Sequence, residues 1–193
     1  MSAGGGRADR RVQRTTRALR EALLDLIIEK GYEAVTIQDI IDRANVGRST
    51  FYSHYYDKEQ LLLGSIGWLR QLLTEQKAAA PEACEAGGFR FGFSLAMLKH
   101  VQSNDKLYRA TVGRDSGTLV LHHVKRMIAE LAEEEMARLN HAWMLPRQVL
   151  LAYIVHTYMA LLQWWIEHDS ARSAEEVDEQ FHRLAFTGLD GLR

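Results

Sequence analysis

Around position 50, the run Arg48-Ser49-Thr50-Phe51-Tyr52-Ser53-His54 sets a guanidinium, small hydroxyls, a phenol and an imidazole within two helical turns, and Lys58 follows. A guanidinium can bond a guanine edge in two places, and short hydroxyls reach bases or phosphates, so these groups suit reading a duplex rather than breaking bonds. Upstream, Arg7, Arg10, Arg11, Arg14, Arg17 and Arg20 stand against the single acid Asp9 between residues 7 and 20. Residues 61–193, by contrast, carry 14 basic and 16 acidic side chains, so the formal net charge of −1 conceals a basic end where a polyanion belongs.

Catalytic patterns are absent. Asp115-Ser116-Gly117 lacks the glycine two residues before the serine that a nucleophile elbow needs, and no glycine-rich loop that could cradle phosphate is present. His122 and His123 are adjacent, which on a helix turns them about 100° apart and argues against a shared metal. The reading is of a non-enzyme without metal or cofactor. Cys84 is the one cysteine, which fits a reducing cytoplasm.

The elements that must position the polar run are helical. Two prolines in 193 residues and 47% hydrophobic residues predict an all-α chain with a sizeable core. Met1 to Asp9 is glycine-rich without an apolar stretch, which predicts a disordered basic tail over residues 1–10 and no secretory signal. From Val12, apolar residues at Leu19, Leu23, Leu26 and Ile27 mark an amphipathic helix ending at Gly31. Thr36 is placed to cap a second helix through Ile40 and Ile41 to Ala44, with Asp39 at the capping-box position. After Asn45-Val46-Gly47 a third helix is expected over Arg48 to Tyr55. Ile40, Ile41, Ala44, Val46 and Phe51 would lock the short helices so that the third projects and can enter a major groove.

The segment from Thr36 through Arg48-Ser49-Thr50-Phe51-Tyr52-Ser53-His54-Tyr55-Tyr56-Asp57-Lys58 to Leu62, with the preceding helix ending in Gly31-Tyr32, resembles the DNA-binding domain of the TetR family of transcriptional regulators over about residues 11–62. Tyr55 and Asp57 stand where phenylalanine and serine are commoner. The resemblance implies an N-terminal three-helix helix-turn-helix domain over 11–56. A C-terminal helical bundle over 57–193 would serve ligand sensing and dimerisation. It also implies that Arg14, Thr15, Thr36, Gln38, Arg48, Ser49, Thr50, Tyr52, His54 and Lys58 contact double-stranded operator DNA. For Tyr52 and His54, burial in the small core is the competing reading, because aromatic spacing alone does not choose a face.

Downstream, Asp57 is placed to open a helix with Leu61, Leu62, Ile66, Leu69, Leu72 and Leu73 on its apolar face, and Ala78 to Gly88 reads as a loop. Further helices are expected at Phe89–Gln102, Lys106–Val112, Thr118–Leu139, Arg147–His168 and, behind a Ser173 cap, Ala174–Leu192. Val149 to Ile166 is nearly long enough to span a bilayer, but His156, Thr157 and Gln163 interrupt it, so a buried helix and no membrane partner are expected. A helix apolar all round needs its own core on one side and a second subunit on the other. Ile154, Tyr158, Leu161, Leu162, Trp165, Phe181 and Leu184 are therefore expected at a homodimer interface. Trp68, Phe93, Met97, Tyr108, Tyr153, Thr157 and Trp164 could line a pocket for a mostly apolar effector, although such residues at helical spacing also suit plain core. The function these readings favour is a repressor released from a pseudo-palindromic operator by a small molecule. The alternative is a non-catalytic helical adaptor acting through a protein partner.

Overall fold

A computed structural model of the chain describes residues 5–79, 89–112, 118–138, 144–168 and 171–187. Among these residues the elements are α1 (Gly5–Lys30), α2 (Ile37–Ala44), α3 (Arg48–Tyr52), α4 (Lys58–Ala79), α5 (Gly92–Ser103), α6 (Asp105–Val112), α7 (Thr118–Ala137), α8 (Arg147–His168) and α9 (Ala174–Thr187). The chain is all-α, as its composition predicts, with no strand among the described residues. Cys84 and Asp115-Ser116-Gly117 lie outside them.

The first body is built by α1 to α3 and the start of α4. Leu19, Leu23, Ile27, Ile40, Phe51 and Leu61 are fully enclosed in its core, with Ala44 and Val46 packed on the edge. Each helix end has a local cause. Gly31 leaves α1 at φ 79°, a left-handed turn that glycine enters without a side-chain clash, and its amide donates to the Ile27 carbonyl at 2.9 Å. Thr36 caps α2 by accepting from the Asp39 amide at 3.2 Å, while the Asp39 carboxylate accepts from the Thr36 amide at 2.7 Å. Asn45 then takes the left-handed conformation, φ 50°, that turns the chain into α3, so the bend rests on Asn45 rather than on Gly47, whose φ is −73°. The Asp57 carboxylate accepts from the Gln60 amide at 2.7 Å and opens α4 as expected.

Three boundaries within the described residues differ from the sequence reading by three residues or more. Helix α1 begins at Gly5, so residues 5–10 are helical rather than a disordered tail; Ala8, Arg10 and Arg11 are sound helix formers that extend the helix once Leu19 and Leu23 anchor it. Helix α3 stops at Tyr52 instead of Tyr55, because the Phe51 carbonyl accepts from the amides of both His54 and Tyr55, at 2.9 Å each, and tightens the chain into a turn. Helix α5 starts at Gly92, where the Glu135 carboxylate takes the amides of Gly92 and Phe93 at 2.8 and 3.2 Å and His182 Nε2 takes that of Phe91 at 2.9 Å.

The second body packs α5 to α9 and the rest of α4 around Phe93, Met97, Ile128, Tyr158, Val177 and Phe181. Ile66 and Val120 touch both cores and join them. Helix α8 is long and apolar enough to cross a membrane; Ile154, Val155, Tyr158, Met159, Leu162, Trp165 and Ile166 are buried along one face against the rest of the protein, and the other face is open.

Candidate nucleic-acid interface

Phe51 is the pivot of the interface. Its ring is fully buried, which turns its neighbours outward: Arg48, Ser49 and Tyr52 are exposed and Thr50 half-buried. Tyr52 is 46% exposed and meets the Phe51 ring edge-on at 5.4 Å, so the burial reading for it is discarded, while His54 is half-buried beside Tyr55. Arg48 is held from the side: its Nη2 donates to Gln38 Oε1 at 2.6 Å, and Gln38 Nε2 donates in turn to Asp42 at 2.8 Å. This bridge from α2 to α3 limits the rotamers open to the guanidinium.

The rest of the sequence-derived set divides by how its polar atoms are used. Arg14 is exposed on α1, whereas the Thr15 hydroxyl donates to the Arg11 carbonyl of its own helix at 3.1 Å. The Thr36 hydroxyl donates to Asp39 at 2.6 Å, and Lys30 Nζ lies 2.7 Å from the same carboxylate. The Lys30 and Thr36 hydrogen bonds hold Asp39 well below the usual carboxylate range.

Lys58 requires a correction. Its ammonium donates to the carbonyls of Tyr32 at 2.8 Å, Val35 at 2.9 Å and Glu33 at 3.4 Å, and it sits 4.2 Å over the Tyr32 ring. With those donors turned inward it clamps the α1–α2 turn to α4 instead of reaching for phosphate, and burial holds its pKa below the ordinary lysine value. Arg17 and Arg20 are likewise occupied, the first paired with Glu21 at 2.7 Å and the second stacked 4.0 Å over the Trp68 ring. Sequence reasoning passed over Tyr56, which is 82% exposed just past α3. Its one signal was position, since the next residue, Asp57, already reads as a cap.

A family model described as bacterial regulatory proteins of the tetR family matches residues 19–64, and one described as a transcriptional regulator C-terminal region matches residues 91–187. The chain belongs to the TetR family. It is a DNA-binding transcriptional regulator with a helix-turn-helix. Over 55 residues it is 53% identical to the HTH-type regulator YxbF of Bacillus subtilis, a match that covers 28% of this chain and 14% of that protein. An HTH-type regulator of Haemophilus influenzae is 23% identical over 129 residues, 63% of each chain. The chain thus spans less than two thirds of these curated relatives. Among solved structures, a TetR transcriptional regulator from Streptococcus agalactiae is 26% identical with a TM-score of 0.68, over 92% of this chain and 97% of that one. The TetR-family FadR of Thermus thermophilus, solved with lauroyl-CoA, shares the fold at 18% identity and a TM-score of 0.54, over 92% and 94%.

In this TetR-family chain a cavity of about 340 Å³ lies where the two bodies meet. Arg20, Glu21, Leu24 and Ile27 of α1 form one wall, and α4 to α8 close the rest with Trp68, Tyr108, Val112, Leu162 and their neighbours. Of the seven residues expected to line a pocket, Trp68 and Tyr108 do so. Phe93 and Met97 are 1% and 0% exposed in the second core. Tyr153 faces outward and donates to the Leu184 carbonyl at 2.7 Å, Thr157 is half-buried away from the cavity, and Trp164 is 37% exposed beneath Arg172.

The dimer set needs a similar correction. Ile154, Tyr158, Leu162, Trp165 and Phe181 are buried in the protomer's own core and so unavailable to a partner, while Leu161 and Leu184 are half-buried. What α8 leaves uncovered is the opposite stripe, Val149, Ala152, Tyr153, His156, Ala160 and Trp164, with Phe186 of α9 also exposed. Every face of α8 is apolar, so the pattern alone could not say which side turns inward; packing against α7 and α9 decides it.

Proposed function

We propose that this regulator is a repressor that acts in the cytoplasm, binds a pseudo-palindromic operator as a homodimer and is released when a mostly apolar small molecule fills the cavity between its two bodies. The observation that carries the DNA reading is the outward set Arg48, Ser49 and Tyr52, presented by a helix whose own anchor, Phe51, is buried. Arg14, Gln38, Thr50, His54 and Tyr56 extend that set toward the backbone. A five-residue helix meets too few bases for useful selectivity, and two copies reading half-sites about one helical turn apart supply it. The uncovered stripe of α8, with Tyr153, Ala160 and Trp164, supplies the apolar face for that pairing.

Release follows from linkage. Helix α1 belongs to the DNA-binding body and also forms one wall of the cavity. A ligand that prefers α1 farther from α6 must weaken operator binding by its differential affinity, typically about 1–3 kcal/mol. The deciding experiment is a binding selection on genomic fragments with the full chain. A symmetric motif is expected, and Arg48→Ala should cost about 1–3 kcal/mol per half-site and relax the preference at one position. A selection that enriches no symmetric motif refutes the proposal and leaves the adaptor reading.

A further inference from the structure

Resting on the effector reading above, we infer that the cavity takes an uncharged, mostly apolar molecule bearing one hydrogen-bonding oxygen, a hydroxyl or ketone, and that Tyr108 and His100 recognise that oxygen. Tyr108 is 8% exposed and lines the cavity, yet its hydroxyl has no hydrogen-bond partner among the described residues. A hydroxyl that faces a cavity without a protein partner is free to pair with whatever fills that cavity, water or ligand. Its ring stands edge-on to the imidazole of His100, 5.8 Å away at 89°, and that side chain also lines the cavity without a hydrogen-bond partner among the described residues. Two polar groups without protein partners therefore stand side by side on a wall that Leu69, Leu72, Val120 and Val124 make largely apolar.

Burial sets their charge. It pushes the Tyr108 phenol well above its ordinary value and the His100 imidazole below its own, so near neutral pH the first keeps its proton and the second stays uncharged. Together they offer a phenolic donor and an imidazole that can donate or accept, which suits an alcohol or a carbonyl oxygen. Among the other polar side chains of the wall, Ser65 donates to the Leu61 carbonyl at 2.8 Å, Thr111 to that of Leu107 at 2.9 Å and Asn104 Nδ2 to that of His100 at 2.8 Å, while the Gln163 amide of α8 also lines the cavity.

A carboxylate finds poor provision here. Arg20 is the one lysine or arginine among the described lining residues; it already lies over Trp68, and Glu21 stands beside it on the same wall. An anion moved into such a wall gives up its hydration for a single cation, and that one is stacked on the Trp68 ring.

The test uses the full chain, calorimetric titration at neutral pH and three probes of one chain length: decanol, the corresponding methyl ketone and decanoate. The alcohol and ketone should bind, and decanoate about tenfold more weakly or less. Tyr108→Phe should lower affinity for the ketone about three- to tenfold and leave the melting temperature unchanged or raised, since the lost hydroxyl had no protein partner. Decanoate binding as tightly as decanol, neither neutral probe binding, or Tyr108→Phe without effect on any probe would each overturn the inference. Operator release, followed separately by gel shift, keeps the two readings apart. Neutral probes that bind through Tyr108 but never release operator uphold the ligand class and defeat the effector role. Release by decanoate alone upholds the role and defeats the class.

Discussion

Lys58→Met separates a clamp inside the DNA-binding body from a phosphate contact. The ammonium makes two short hydrogen bonds to the carbonyls of Tyr32 and Val35, at 2.8 and 2.9 Å, and lies 4.2 Å over the Tyr32 ring. A hydrogen bond from a charged donor contributes about 1.5–3 kcal/mol, and an ammonium over an aromatic face about 0.5–1 kcal/mol at an exposed site. Lys58 is only partly buried, so solvent screens these contributions and water can replace the lost donors; the expected loss is about 2 kcal/mol. Methionine keeps most of the stem, so packing changes little. For a chain of this size that loss corresponds to a melting temperature lower by about 4–8 °C, read by circular dichroism. In operator titrations across a salt series, the slope of log affinity against log salt should match the unsubstituted protein. A phosphate contact would give the reverse, a slope smaller by about 0.9 for each half-site with unchanged melting, and that result would refute the clamp.

Ala160→Glu puts a carboxylate at the centre of the uncovered α8 stripe without entering the protomer core; sedimentation should show monomers, far-UV dichroism an intact fold, and gel shifts a loss of operator binding. If the variant still sediments as a dimer, that stripe is not the interface. His182 is buried, accepts from the Phe91 amide at 2.9 Å and donates from Nδ1 to the Asp178 carbonyl at 2.8 Å, which fixes it as the neutral tautomer. Burial lowers its pKa, opposed by Asp178 and Glu179 and assisted by Arg90, so the unfolded chain binds the proton more readily. Its contribution to stability is therefore full above an imidazole's ordinary 6.5 and is lost as pH falls below that value, and His182→Gln should remove this part of the pH dependence in urea unfolding. Identical acid profiles for the two proteins would count against it.

The DNA-binding body was largely legible because its information is local. Thr36, Asp39 and Asp57 accept from amides three residues away and Gly31 donates to a carbonyl four residues back, so their types and spacing state the caps that form. The Phe51 anchor and the outward Arg48 likewise follow from neighbours on one short helix. Lys58 escaped this logic, since the carbonyls that hold it lie 23 to 26 residues upstream and are brought to it only when α1 folds back on α4.

The second body shows the opposite case. Helix α8 was bounded correctly at Arg147–His168, yet five of the seven residues expected to face a partner turned inward, and five of the seven expected around a ligand lay elsewhere. An apolar stripe reports that a face must be buried but carries no record of what buries it. When every face is apolar, the rotation of the helix about its axis is set by neighbours far away in sequence. The cavity is the extreme instance: α1 and α4 to α8 enclose it together. Sequence by itself therefore determined the helices, their caps and the DNA-reading motif, which depend on contacts a few residues apart. Only the tertiary structure decided which sides of α6 and α8 face the core, the cavity or open solvent, because that choice is made by packing between distant helices.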